Sequence, residues 1–208
     1  MEISKALEAS EIGLNELKAK QIGLEIASME RMSAKSIAED HTGQFHFISP
    51  VHETSVHQLI QRIDSYVRRY PEGEVEILLN SGGGSVLDGF ALIDYLERIK
   101  RQGTHVRIVG IGLTASMAGI ILQAASERVL TRHAWLGMHE ISSVIQGSIT
   151  VAEDTMKFSK ALQAQAVALL CERSTLTPAK LKSLWARKDV FIDATEALKL
   201  GLIDRIEE

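Results

Sequence analysis

At 208 residues, with a formal net charge of −4 and a single cysteine, the chain suits one domain of ordinary size with room for an appended segment. A core of this length buries roughly 70% of the surface that the unfolded chain exposes, so folding needs neither a metal nor a disulfide. The charge excludes a strongly basic nucleic-acid or anionic-membrane binder, and Cys171 alone excludes an internal disulfide, which fits a reducing, cytoplasmic setting.

The start, MEISKALEASEIGL, lacks the basic and apolar regions of a secretory signal. Residues 1–43 read as an N-terminal helical arm or propeptide, with Ile3, Leu7, Leu14, Leu17 and Leu24 near a heptad rhythm that Ser10 and Gln21 break. HTG at 41–43 reads as a hinge, and residues 44–208 as the main domain. FHFIS (45–49) alternates like a strand before Pro50. Ser55 is expected to open a helix with Gln58 at the capping-box position. VEILLN (75–80) is a buried strand, followed by SGGGS and the helix LDGFALIDYLERIK. HVRIVGIG (105–112) is the next strand and SMAGIILQAA the next helix. The apolar run from Val106 to Ala125 is the one stretch resembling a membrane span, but Arg107 and its Gly, Thr, Ser and Gln favour a buried strand–turn–helix. ERVLT (127–131) and AWLGMH (134–139) are short strands, and one long helix covers about 150–173. Thr177-Pro178 opens another helix, and ATEALKLG forms the last before LIDRI. Strands alternating with helices imply an α/β domain with parallel crossovers.

Four motifs carry chemistry. LLNSGGGSV (78–86) puts three glycines after a strand, where exposed N–H groups can meet an anion or a carbonyl oxygen, although a tight turn explains a lone triple glycine as well. In GLTASMAG, Ser116 falls between a strand and an apolar helix, the logic of a nucleophile elbow without the GxSxG pattern; a small packing residue is the bland alternative. GMHE places His139 at a strand end, where a structural histidine is equally plain. The other histidines, His41, His46, His52, His57, His105 and His133, follow no metal-ligand spacing. In KDVFIDATEALKLGLID, Asp189 precedes an apolar pair as a turn carboxylate or an orienting one. Asp193 reads as a helix cap with Glu196 three residues on.

Taken together and in this order, LNSGGGSV, GLTASMAG, GMHE and KDVFIDATEALKLGLID resemble the ClpP-like serine proteases, the proteolytic subunits of Clp protease and their phage-borne relatives, over about residues 45–206. The resemblance implies a crotonase-like α/β fold with a protruding helical handle at 141–175. It also implies a catalytic triad of Ser116, His139 and Asp189, and oxyanion-hole amides from Gly83 and Met117. No metal or other cofactor is implied for this subunit. The implied partners are polypeptide substrates, further copies of the chain in a heptameric ring or stacked double ring, and an AAA+ unfolding ATPase; nucleic acid and membrane are not among them. This chain departs from the family at Gly82, where proline is usual, at Ala118, where glycine is usual, and in the arm, which is unlike the family's short N-terminal hairpin. Alternatives left open are a phage head-maturation protease acting in host cytoplasm, an acyl-CoA enzyme of the crotonase fold, a Ser-Lys protease, and a non-proteolytic ring subunit.

Overall fold

Seven strands form one sheet in the residues that the computed structural model describes, which are 18, 20–24, 27, 41–142, 144, 146–186 and 188–208. The chain divides into two units, Met1–Thr42 and Gly43–Glu208. In the first, residues 18, 20–24, 27, 41 and 42 are helical. Ile3, Leu7, Leu14 and Leu17 of the expected arm lie outside the described residues.

The strands of the second unit are β1 (Gln44–Phe47), β2 (Val75–Ser81), β3 (Val106–Ala115), β4 (Glu127–Thr131), β5 (Trp135–Met138), β6 (Val190–Asp193) and β7 (Arg205–Glu207). The order β1-β2-β3-β4-β7 is parallel throughout. β3 is longer than its sequence run suggested because it serves two partners. Its first half pairs with β4, whereas Leu113–Ala115 pair with β5, which in turn pairs antiparallel with β6. The strands on that side of β3 therefore diverge, and a crevice opens beyond the carboxyl end of β3, where ligands bind in open α/β sheets.

Six helices follow the predicted positions: α1 (Glu53–Arg69), α2 (Val86–Arg101), α3 (Met117–Leu122), α4 (Ile149–Glu172), α5 (Pro178–Trp185) and α6 (Ala194–Lys199). The start of α1 differs from the expected Ser55–Gln58 box. His52 is the cap: its Nδ1 accepts from the Ser55 N–H at 3.2 Å, and Ser55 Oγ accepts from the His52 N–H at 3.1 Å. Thr177 caps α5 with Pro178 in its first turn, and Asp193 caps α6 by accepting from the Glu196 N–H at 2.8 Å, as expected.

Packing follows the apolar patterns. Leu92, Ile93, Leu96 and Ile99 line one face of α2, and all six residues of α3 are buried. These helices cover the sheet face carrying Phe45, Ile77, Ile108 and Leu130, each fully buried side chain contributing about 1.5–3 kcal/mol. The opposite face of β2, β3, β4 and β7 carries a cross-strand ladder of charge, in which Arg107 pairs with Glu76, Glu127 and Glu207. α4 buries only Ala166, Val167 and Leu170, all near its C-terminal end, while Ile149, Val151, Met156 and Phe158 are exposed along the rest. This is the protruding helix expected at 141–175. Its end is fixed by Arg173, whose guanidinium donates to the carbonyls of Ala125 at 2.6 Å and Ser126 at 3.2 Å and to Asp204 at 2.9 Å. Asp204 also binds Arg128, the one buried charged residue among the described residues.

Candidate active site

The glycine-rich loop leaves β2 under two constraints. Ser81 Oγ accepts the Gly83 N–H at 3.1 Å, so the expected Gly83 donor is already engaged. Val51 then pairs with the loop: its N–H donates to the Gly83 carbonyl at 2.9 Å and its carbonyl accepts from the Ser85 N–H at 2.8 Å. In such a parallel bridge the N–H and C=O of Gly84 face away from Val51. Gly84 accordingly lines a cleft, and its main-chain groups form an open extended edge there.

Ser116 stands across this loop. It is the one non-glycine with positive φ among the described residues, at φ 56 and ψ −125. It precedes α3 without capping it through its side chain, so Oγ is free to turn away from the helix. Its own N–H donates to the Gly137 carbonyl at 2.8 Å, which ties the elbow to β5. The approach of loop and elbow is close. A Cβ on Gly83 would stand 2.6 Å from Ser116 Cβ and 2.9 Å from the Met117 nitrogen, so only glycine fits. Met117 is the first residue of α3, where N–H groups have no partner one turn back.

His139 directly follows β5 and lines the same cleft as Ser116, Met117 and Gly84. Its Nδ1 lies 2.6 Å from the carbonyl oxygen of Glu140. A carbonyl only accepts, so the proton of the neutral ring is on Nδ1 and Nε2 keeps its lone pair. Asp189 directly precedes β6. The antiparallel register runs Trp135↔Asp193 to Met138↔Val190, and its next step sets Asp189 opposite His139. Among the described residues no hydrogen bond joins the Asp189 carboxylate to the imidazole, and Asp189 is exposed. The structure thus brings Ser116, His139 and Met117 to one cleft and sets Gly83 against Ser116, whereas Asp189 is not among the residues lining that cleft.

Three contributors were not singled out from sequence: Gly84, Gly137 and the cleft wall. A Cβ on Gly137 would stand 2.6 Å from Ala115 Cβ and 2.9 Å from the Phe191 ring. Its position in GMHE, a glycine between apolar strand residues, is a sequence sign of such close approach. The wall is apolar, formed by Val86, Ile120, Met138, Ile141, Leu170 and Trp185. Among the described residues no group of three or more His, Cys, Asp or Glu side chains is placed to hold a metal ion, and no helix is long and apolar enough to cross a membrane.

Comparison with known proteins covers the same part of the chain. The model of the Clp protease family matches residues 40–208. The ATP-dependent Clp protease proteolytic subunit 2 of Bacillus licheniformis is 31% identical over 137 residues, 65% of this chain and 70% of that protein. Its counterpart from Thermobifida fusca is 32% identical over 140 residues, 65% of this chain and 66% of that protein. With a largely parallel sheet, a projecting helix and a family match over most of its length, this chain belongs to the Clp protease family and is a ClpP-like peptidase.

Proposed function

We propose that the chain is a serine endopeptidase in which Ser116 is the nucleophile, His139 the base and Asp189 the carboxylate that stabilises the imidazolium. The observation that carries this reading is the strained Ser116 elbow, facing the same cleft as an imidazole whose Nε2 keeps its lone pair. An extended peptide lies along the open edge of Gly84, adding a strand to the loop. His139 Nε2 takes the Ser116 hydroxyl proton as Oγ attacks the scissile carbonyl carbon. The oxyanion is held by the N–H groups of Met117 and Gly84. Gly84 takes the part expected of Gly83, because the Gly83 N–H is given to Ser81. His139 then protonates the departing amine, and water repeats the sequence to free the acid and restore Ser116. The apolar wall favours an apolar side chain beside the scissile bond.

The same reading makes the enzyme a homo-oligomeric ring, heptameric or doubled, with the exposed apolar residues of α4 as contacts and polypeptides cleaved inside. An AAA+ unfoldase would be the partner that delivers them. The test is Ser116→Ala, assayed with an unstructured peptide, together with fluorophosphonate labelling of the unaltered protein. Loss of cleavage in the variant and one label on Ser116 are expected. Undiminished cleavage, or a label elsewhere, refutes the assignment.

A further inference from the structure

The peptide unit between Glu140 and Ile141 is bonded on both sides. Its C=O accepts from His139 Nδ1 at 2.6 Å, and its N–H donates to Gln163 Oε1 at 2.6 Å. Gln163 lies on α4, in the part that packs on the domain, and Ile141 lines the cleft. One amide plane therefore connects the imidazole to the projecting helix.

We propose that Gln163 is a positioning residue that acts on His139 through the Glu140–Ile141 peptide, holding the ring in the tautomer with the proton on Nδ1. The proposal rests on the reading of His139 as the base. Two features of the contact support it. The Ile141 N–H can be received only by the oxygen of the Gln163 amide, so the side chain has one working orientation. The other end, Nε2, is then buried with no hydrogen-bond partner among the described residues. A buried unpaired donor is destabilising, and an apolar side chain of similar length would avoid it. Gln163 is thus a poor choice for packing and a good one for receiving the Ile141 N–H. Accepting that N–H shifts electron density onto the peptide nitrogen and through the amide to the Glu140 oxygen, which becomes a stronger acceptor for the imidazole, since hydrogen bonds in a chain polarise one another.

Without the Gln163 oxygen, the Glu140–Ile141 plane is free to rotate. The neutral ring then loses its fixed acceptor and populates the tautomer with the proton on Nε2, which cannot serve as base. Asp189 plays a separate part, since its charge matters once the ring is protonated.

The experiment compares Gln163→Met, Gln163→Glu and His139→Ala with the unaltered full chain. Peptide hydrolysis is measured as kcat and KM, stability by thermal unfolding, and the His139 tautomer by imidazole nitrogen-15 shifts. Gln163→Met is expected to lower kcat about 5- to 10-fold with KM within twofold. Its Tm should change little, because losing the unpaired Nε2 offsets orphaning the Ile141 N–H, and its nitrogen shifts should move toward the Nε2-protonated form. Gln163→Glu keeps an oxygen at the same reach, whether ionised or not, and is expected to recover most of kcat and the original shifts. Unchanged kcat and unchanged shifts in Gln163→Met, with His139→Ala inactive, overturn this proposal and leave the base assignment standing. Retained hydrolysis in His139→Ala overturns the base assignment itself. A fall in kcat tracking a fall in Tm, with unchanged nitrogen shifts, makes Gln163 structural and also overturns the proposal.

Discussion

Ser116 is the point where the fold holds strain, and replacing it separates stability from activity. Its φ of 56 with ψ of −125 lies where side chains are crowded by the backbone and glycine is not. Such a residue costs about 1–3 kcal/mol. Ser116→Gly relieves that cost but adds unfolded-chain entropy worth about 0.5–1 kcal/mol. Ser116→Ala keeps the strain and removes only the hydroxyl. The glycine variant should therefore be the more stable of two inactive proteins by up to about 2.5 kcal/mol. For a chain of this size that is up to about 10 °C in Tm. Thermal and urea unfolding of both variants, at one protomer concentration, provides the measurement. A less stable glycine variant would show that the elbow carries no such strain and that its geometry is no sign of a functional constraint.

Other outcomes follow from the remaining contacts. Asp189→Asn should lower kcat/KM by at least about 100-fold with little change in Tm. Asp193→Asn, which alters only the α6 cap, should leave kcat/KM within about threefold; equal losses in the two variants would mean that the carboxylate stabilising the imidazolium is misassigned. Gly137→Ala should force Ala115 and Phe191 apart and disturb the bond that holds the Ser116 N–H, so a drop in kcat of about tenfold or more is expected, read in the same peptide assay. Burial acts to raise the Asp204 carboxyl, but hydrogen bonds from the Arg128 side chain and backbone, with the charges of Arg128 and Arg173, outweigh it and hold the group below its ordinary value of 3.8. A depressed folded-state value stabilises the native state above the unfolded value, and this is lost as pH falls through the folded one. Asp204→Asn should thus destabilise at pH 7 and flatten the part of the acid decline that begins near pH 4. An unchanged acid limb in unfolding curves would refute the linkage.

The strands, the crossover helices and the motif residues were legible because each depends on local apolar pattern or turn chemistry. The end of β3 was not, because Leu113–Ala115 are held in a strand by β5, a partner some twenty residues later in the chain. The α1 cap was misplaced because Ser55 and Gln58 fit a capping box as written, and only the His52 ring position shows which cap wins. The choice between Gly83 and Gly84 could not be made in sequence. The proposed choice rests on two contacts in the fold: Ser81 Oγ takes the Gly83 N–H, and Val51, from the other end of α1, takes the opposite edge of the loop. Ser116 was legible through its place between strand and helix, whereas Gln163 is a single polar residue on a long helix and carries no local signature.

The way α4 is anchored decides how it transmits force. At 24 residues it is about 36 Å long, and Arg173 clamps one end while the apolar residues of the other stand clear of the domain. It is a beam built into a wall at one extremity. Gln163 sits near the wall, where a sideways push on the tip arrives as a small rotation and little travel. If Gln163 positions His139 as proposed, a partner gripping the far end would trim the aim of the ring by degrees, and the Arg173 clamp would set the gearing.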